Sequence, residues 1–217
     1  MTAKKYSIAT IITYLMVYLS PVIFALIVRP TQNQSITMTT FAYIIGAILL
    51  LIYLFKSQKF NIEQKPKAIG WMILFGFLGI FGSILLQNVL LMVEQAFFNA
   101  PTASQNTENI IQLIQENMVF ILATTIAGPI MEELVFRRAI FGALSNRWGF
   151  ILPALISSAL FAAAHVDGHY LLYGGLGLFF CFLYRYTGRI GTSMITHVGM
   201  NLLVIIVQLA ARQAGLL

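Results

Sequence analysis

Seven apolar windows punctuate the chain, near Tyr6–Val28, Thr37–Phe55, Ala68–Val93, Asn117–Met131, Ile151–Ala164, Tyr170–Tyr186 and Gly191–Ala210. Several are long enough to cross about 30 Å of hydrocarbon at about 1.5 Å per residue. In lipid every backbone N–H and C=O must be satisfied by protein, and a helix does this within one segment. The windows therefore predict an all-α fold, a polytopic transmembrane helical bundle of about seven to eight spans. The eighth would form only if Gly191–Leu217 broke. Composition agrees: 59% of residues are hydrophobic and 9% charged, against about half and a quarter in soluble domains. The first window is too long for a signal-peptide core and lacks a small-residue cleavage site, so it is expected to be a retained span. The length of 217 residues suits one integral membrane domain, residues 1–217.

The net charge of +6 follows membrane topology, not nucleic-acid binding. With the amino terminus cytoplasmic, Lys4, Lys5, Lys56, Lys59, Lys65, Lys67, Arg137, Arg138, Arg147, Arg185 and Arg189 all fall on the cytoplasmic side. Only Arg29 and Arg212 fall outside, so eleven of thirteen basic residues obey one orientation. Lys56–Lys67, with Pro66, is expected to be a solvated cytoplasmic loop. Glu94–Glu116 has no basic residue and many amides and hydroxyls, as an external loop would. Within it Ile110, Ile111, Leu113 and Ile114 have helical spacing and predict a segment lying along the interface. Gly174-Gly175-Leu176-Gly177 predicts close helix packing. The single cysteine, Cys181, excludes a disulfide framework or thiolate cluster and is expected to be a small buried hydrophobe.

Against this background three polar patterns stand out: Glu132-Glu133-x-x-x-Arg137, Phe161-x-x-x-His165 and His197-x-x-x-Asn201. A four-residue spacing puts two side chains on one helix face. Glu133 precedes Arg137 in the favoured order for an ion pair. Glu132 lies about 100° away around the helix, so the two glutamates are not expected to face the same partner. A desolvated carboxylate without a counter-charge is a stronger base, as water activation requires. Depth supports convergence. Counted from the cytoplasmic ends of their helices, Glu132, His165, His197 and Asn201 lie roughly 18, 24, 12 and 18 Å into the membrane. His169, in Asp167-Gly168-His169, is expected to be solvated in a loop. Asn201, one turn from His197, could orient the imidazole or donate to an oxyanion. Phe161 is expected only to pack.

The three motifs together, in this order on successive membrane helices, resemble the CAAX-protease and bacteriocin-processing (CPBP, or Abi) family of intramembrane endopeptidases. The resemblance covers about residues 117–209, the expected catalytic core region. It implies that Glu132 and His165 activate the attacking water. His197 and Asn201 would stabilise the tetrahedral oxyanion, with Glu133 and Arg137 supporting the site. Some members are described as metalloproteases. Arg138 departs from a small residue common in relatives and is expected only to shift headgroup anchoring. Family members cleave prenylated CAAX proteins, process or resist bacteriocins, or act on other membrane peptides. The expected partners are membrane lipids and a peptide or lipidated-protein substrate, with no nucleic acid and the oligomeric state open. The expected location is the bacterial cell membrane, multi-pass.

Other protease chemistries lack their residues. An aspartyl enzyme needs two aspartates, and Asp167 is alone. The chain has no His-Glu-x-x-His, and Gly191-Thr192-Ser193-Met194 does not complete a serine frame. A divalent metal such as zinc is compatible with Glu132, His165 and His197 as ligands. Two readings outside catalysis stay open: a proton-coupled transporter or channel, and a silent bacteriocin-immunity binding protein.

Overall fold

A computed structural model describes residues 1–101 and 104–215. Among these residues the chain forms eight helices and one short 3-10 turn. In order they are α1 (Ala3–Val28), α2 (Gln32–Lys56), the turn Asn61–Glu63, α3 (Ile69–Phe98), α4 (Gln105–Glu116), α5 (120–148), α6 (Ile151–His165), α7 (Tyr170–Thr187) and α8 (Ile190–Gln213). The all-α bundle is as expected.

Seven of the helices run between the same two ends of the molecule. At one end Gln58 N–H donates to Met1 O, Asn61 N–H to Asn146 Oδ1 and Lys67 N–H to Thr187 O. At the other, Gln32 meets Glu116, Ser104 meets Asp167 and Arg212 meets Glu108. Successive helices therefore alternate in direction, and only α4 does not cross. α1, α2, α3 and α8 are long and apolar enough to span a membrane, while α6 is shorter. α8 is unbroken to Gln213, so no eighth span forms among the described residues. Leu216 and Leu217 lie outside them.

α5 lies at the centre and packs on α1, α2, α6, α7 and α8. Its backbone is not uniformly α-helical. Residues Ala123–Ala127 and Glu133–Gly142 are π-helical. The first π segment leads into Pro129, whose ring would crowd the carbonyl of Thr125 in a regular helix. Widening the turn to i→i+5 bonding relieves that contact. α3 and α8 approach closely because Gly76 and Gly79 face Ile195 and Thr196. A Cβ on Gly76 would lie 2.8 Å from Ile195, and Thr196 Oγ1 donates to Gly76 O at 3.0 Å. Gly175 and Gly177 likewise admit Leu90 and Ser158, as the glycine cluster predicts; Gly174 faces open space.

The segment following α2 departs from the sequence expectation. It is folded inward, with Phe60, Ile62 and Glu63 buried. Arg138 reaches it and is itself buried, not a headgroup anchor. Its Nε and Nη2 donate to Glu63 at 2.7 and 2.9 Å, and Nη1 donates to Ser57 Oγ at 2.8 Å. Tyr184 O–H donates to the same carboxylate at 2.9 Å, and the guanidinium lies 4.2 Å from the Tyr6 ring centroid. Buried charge survives only when paired and hydrogen-bonded, and this network meets both conditions. Arg137 is buried too. Of the eleven basic residues assigned to one side, nine are unburied at that end and Arg138 is buried within it.

Candidate active site

The three motifs converge. α5 supplies Glu132, Glu133 and Arg137, α6 supplies Phe161 and His165, and α8 supplies His197 and Asn201. His197 is buried between the two glutamates. Its Nδ1 lies 3.0 Å from Glu133 Oε1, and its Nε2 lies 3.7 Å from Glu132 Oε2. The expectation that adjacent glutamates cannot share a partner is therefore corrected. An imidazole offers nitrogens on two sides of its ring, and the π-helical widening that starts at Glu133 loosens the angular step of a regular helix.

Glu133 and Arg137 are fully buried, with Arg137 Nε 3.5 Å from Glu133 Oε1. The guanidinium makes no hydrogen bond among the described residues. It lies among aromatic faces instead, 4.1 Å from the Phe161 ring centroid and 5.1 Å from that of Phe180. Phe161 thus does more than pack. It covers the buried cation and meets His165 and His197 edge-on at 4.5 and 5.8 Å between ring centroids.

His165 is held on two sides. Its Nδ1 lies 2.8 Å from Phe161 O, so Nδ1–H donates there and Nε2 is left with a free lone pair. Its ring stacks on Tyr173 at 3.7 Å. Tyr173 O–H in turn donates to Asp167 Oδ2 at 2.9 Å, where Ser104 Oγ also donates at 2.7 Å. Ser104 is the N-cap of α4, so this clasp ties α4 to the stacking partner of His165. Burial opposes the charge on Asp167. The hydrogen bonds from Ser104, Tyr173 and His169 N–H prevail and hold its carboxyl below the ordinary carboxylate value.

Two cavities meet at His165 and Asn201. One, about 250 Å³, also exposes His197, Phe161 and Tyr173. The other, about 320 Å³, exposes Glu132 beside Tyr14, Tyr18 and Tyr43. α4 roofs both through Asn106 and Ile110. It is the amphipathic helix the isoleucine spacing predicts, but Ile111 and Ile114 bury against Ile36, Phe120 and Ile205. Among the described residues, none from the basic end lines either cavity. The cavities reach the α4 end. The layer of Phe136, Phe141, Tyr184, Arg138 and Glu63, all buried, fills the basic end.

His169 also departs from expectation. It is buried, not solvated, with Nδ1 2.6 Å from Glu94 Oε2. Glu94 Oε1 accepts from Leu171 and Leu172 N–H, neutralising the first turn of α7. Glu94 falls in a stretch with loop composition, and its partner lies 75 residues away, so sequence carried no signal of the pair. Tyr173 was equally silent, being one aromatic in an apolar helix.

Among the described residues no three His, Cys, Asp or Glu side chains are grouped to hold a metal. Glu132 and His197 face each other, but His165 does not close the set. The three-ligand arrangement is not assembled among the described residues.

Residues 114–203 match the family described as type II CAAX prenyl endopeptidase Rce1-like. The chain is 34% identical to a protein of Bacillus subtilis (strain 168) assigned as the membrane peptidase YdiL, over 83% of this chain and 77% of that protein. It is 30% identical to the membrane-embedded CAAX protease MroQ of Staphylococcus aureus (strain USA300), over 99% of this chain and 93% of that one. No solved structure gives a significant match. With most of the chain matched to both relatives and a helical bundle built around the three motifs, the chain belongs to the Rce1-like family of CAAX-type membrane proteases.

Proposed function

We propose that the protein is an intramembrane endopeptidase that hydrolyses membrane-associated or lipidated polypeptides with water activated by Glu132. The observation that carries this reading is the position of Glu132. Its carboxylate opens on one cavity, faces His197 across 3.7 Å and shares His165 and Asn201 with the neighbouring cavity. A peptide carbonyl lying across the junction would meet all four groups.

In this scheme Glu132 takes a proton from water as the hydroxide adds to the carbonyl carbon. The lone pair of His165 Nε2 accepts a hydrogen bond from the same water and fixes its direction. The developing oxyanion is stabilised by Asn201 and by His197 with both ring nitrogens protonated, Nδ1–H donating to Glu133 and Nε2–H to the oxyanion. Protonated Glu132 then delivers its proton to the leaving amine as the C–N bond breaks. Glu133 and Arg137 act through His197: the buried pair fixes the ring between the two carboxylates. The catalytic core proposed is residues 117–209 within one membrane domain, 1–217.

The substrate class, whether CAAX-type, a bacteriocin precursor or another membrane peptide, follows from the family and not from the cavities. We place the basic end in the cytoplasm, by the nine unburied basic residues there against Arg29 and Arg212 at the other end. The roofed site then faces away from the cytoplasm. A transmembrane proton relay is disfavoured because the packed Arg138–Glu63–Tyr184 layer separates the site from the basic end. A binding-only immunity role predicts no dependence on Glu132. Membrane peptidomics of cells carrying wild type or Glu132→Ala tests both points. Peptides should accumulate uncleaved in the variant, and identical peptide profiles would remove the enzymatic reading.

A further inference from the structure

At the basic end, away from the proposed catalytic groups, the loop before α3 and the last turn of α7 enclose a concavity of about 440 Å³. Lys65, Lys67 and Arg185 line it together with Asn61 and Gln64. No acid lines it, and none of the three cations forms an ion pair among the described residues. The nearest carboxylate in sequence, Glu63, is saturated. Arg138 holds both of its oxygens, Tyr184 donates to one and Phe60 N–H to the other.

The walls are pre-formed. Lys67 N–H donates to Thr187 O at 2.9 Å, and Arg189 Nε donates to Lys67 O at 2.6 Å, so the backbone of Lys67 is clamped from both sides. Its ammonium is fixed 3.4 Å from the Tyr186 ring centroid and 5.5 Å from that of Trp71. Gly188, at φ +66°, lets the loop carbonyl of Ile62 come within 2.9 Å of where a Cβ would be. Arg185 sits in the last turn of α7, where a cation offsets the helix end. Lys65 and Lys67 have no such duty. Trp71 and Tyr186 are exposed aromatics of the kind that sit at headgroup depth.

We infer that this concavity binds a phosphate group, held by Lys65, Lys67 and Arg185 with amide donors from Asn61 and Gln64. Its depth suits the headgroup of an anionic glycerophospholipid, and a phosphorylated solute from the aqueous side carries the same chemistry. The site is independent of proteolysis.

The test uses the full chain with Trp148→Phe, leaving Trp71 as the single reporter, in phosphatidylcholine vesicles containing acyl-brominated lipid. Brominated phosphatidylglycerol should quench Trp71 with an apparent affinity at least about fivefold above that of brominated phosphatidylcholine, the effect of roughly one cation near an anionic lipid. Lys65→Gln should reduce the preference, and Lys65→Gln/Lys67→Gln/Arg185→Gln should abolish it. If the preference is absent but millimolar inorganic phosphate protects Lys65 and Lys67 from acylation, the source is the solute and the site stands. Two results overturn the proposal. One is no lipid preference and no protection. The other is an equal loss of preference when Lys4, Lys5 and Lys59 are changed to Gln instead, which would mean bulk surface charge and no built site.

Discussion

Glu132 and Glu133 are adjacent, yet burial separates their tasks. Glu133 is completely buried against Arg137 and His197, while Glu132 keeps part of its surface open to a cavity. Substitutions should therefore fail differently. Glu132→Gln should lower turnover by about 10²–10⁴-fold, the range for a general base, with the thermal transition unchanged. Glu133→Gln leaves a buried guanidinium without its counter-charge and should cost about 3–5 kcal/mol of stability, read as a lowered unfolding midpoint in detergent. Tyr173 supports His165 by stacking, so Tyr173→Phe should keep most of the activity. Tyr173→Leu should lower kcat by up to about tenfold, since such ring pairs contribute about 0.5–1.5 kcal/mol. An equal effect of both variants would assign the role of Tyr173 to its hydroxyl.

At the scale of elements, the sequence made the crossing helices legible because apolar length and period depend on neighbours along the chain. The amphipathic α4 was legible for the same reason, through Ile110, Ile111, Leu113 and Ile114. Contacts that join distant segments were not. Arg138 finds Glu63 across 75 residues and Glu94 finds His169 across 75, and nothing local marks either pair. The π-helical stretches of α5 were also hidden, although Pro129 is a usable signal for the first. The motif residues themselves were legible because an ionisable group in an apolar segment has few explanations. The Ser104–Asp167–Tyr173 clasp makes a testable claim about the roof. With a folded value below the ordinary 3.8, the stability from Asp167 is fully present above that value and lost as pH falls through the lowered one. A spin label at Gln112→Cys, on the exposed face of α4, should keep constant mobility from neutral pH to about pH 4 and loosen below it. With Asp167→Asn it should be mobile throughout.

For the whole molecule, the outer faces of α1, α2 and α3 carry many exposed Leu, Ile, Val and Phe residues, as a lipid-facing surface requires. The interior is divided into an open roofed half and a packed basic half. Opening the packed half should not improve catalysis. Arg138→Ala strands the Glu63 carboxylate and should destabilise the fold by about 3–5 kcal/mol, whereas a paired Arg138→Met/Glu63→Leu change should recover most of that loss on thermal unfolding.

The role proposed for Glu132 is activation of water at the junction of the two cavities. Its most direct test is hydrolysis of a peptide found by the membrane comparison, by purified protein in vesicles, with wild type and Glu132→Gln at equal folded amounts. Cleavage by wild type and a loss of at least about 10²-fold in the variant is the predicted result. Equal cleavage by both proteins would contradict it.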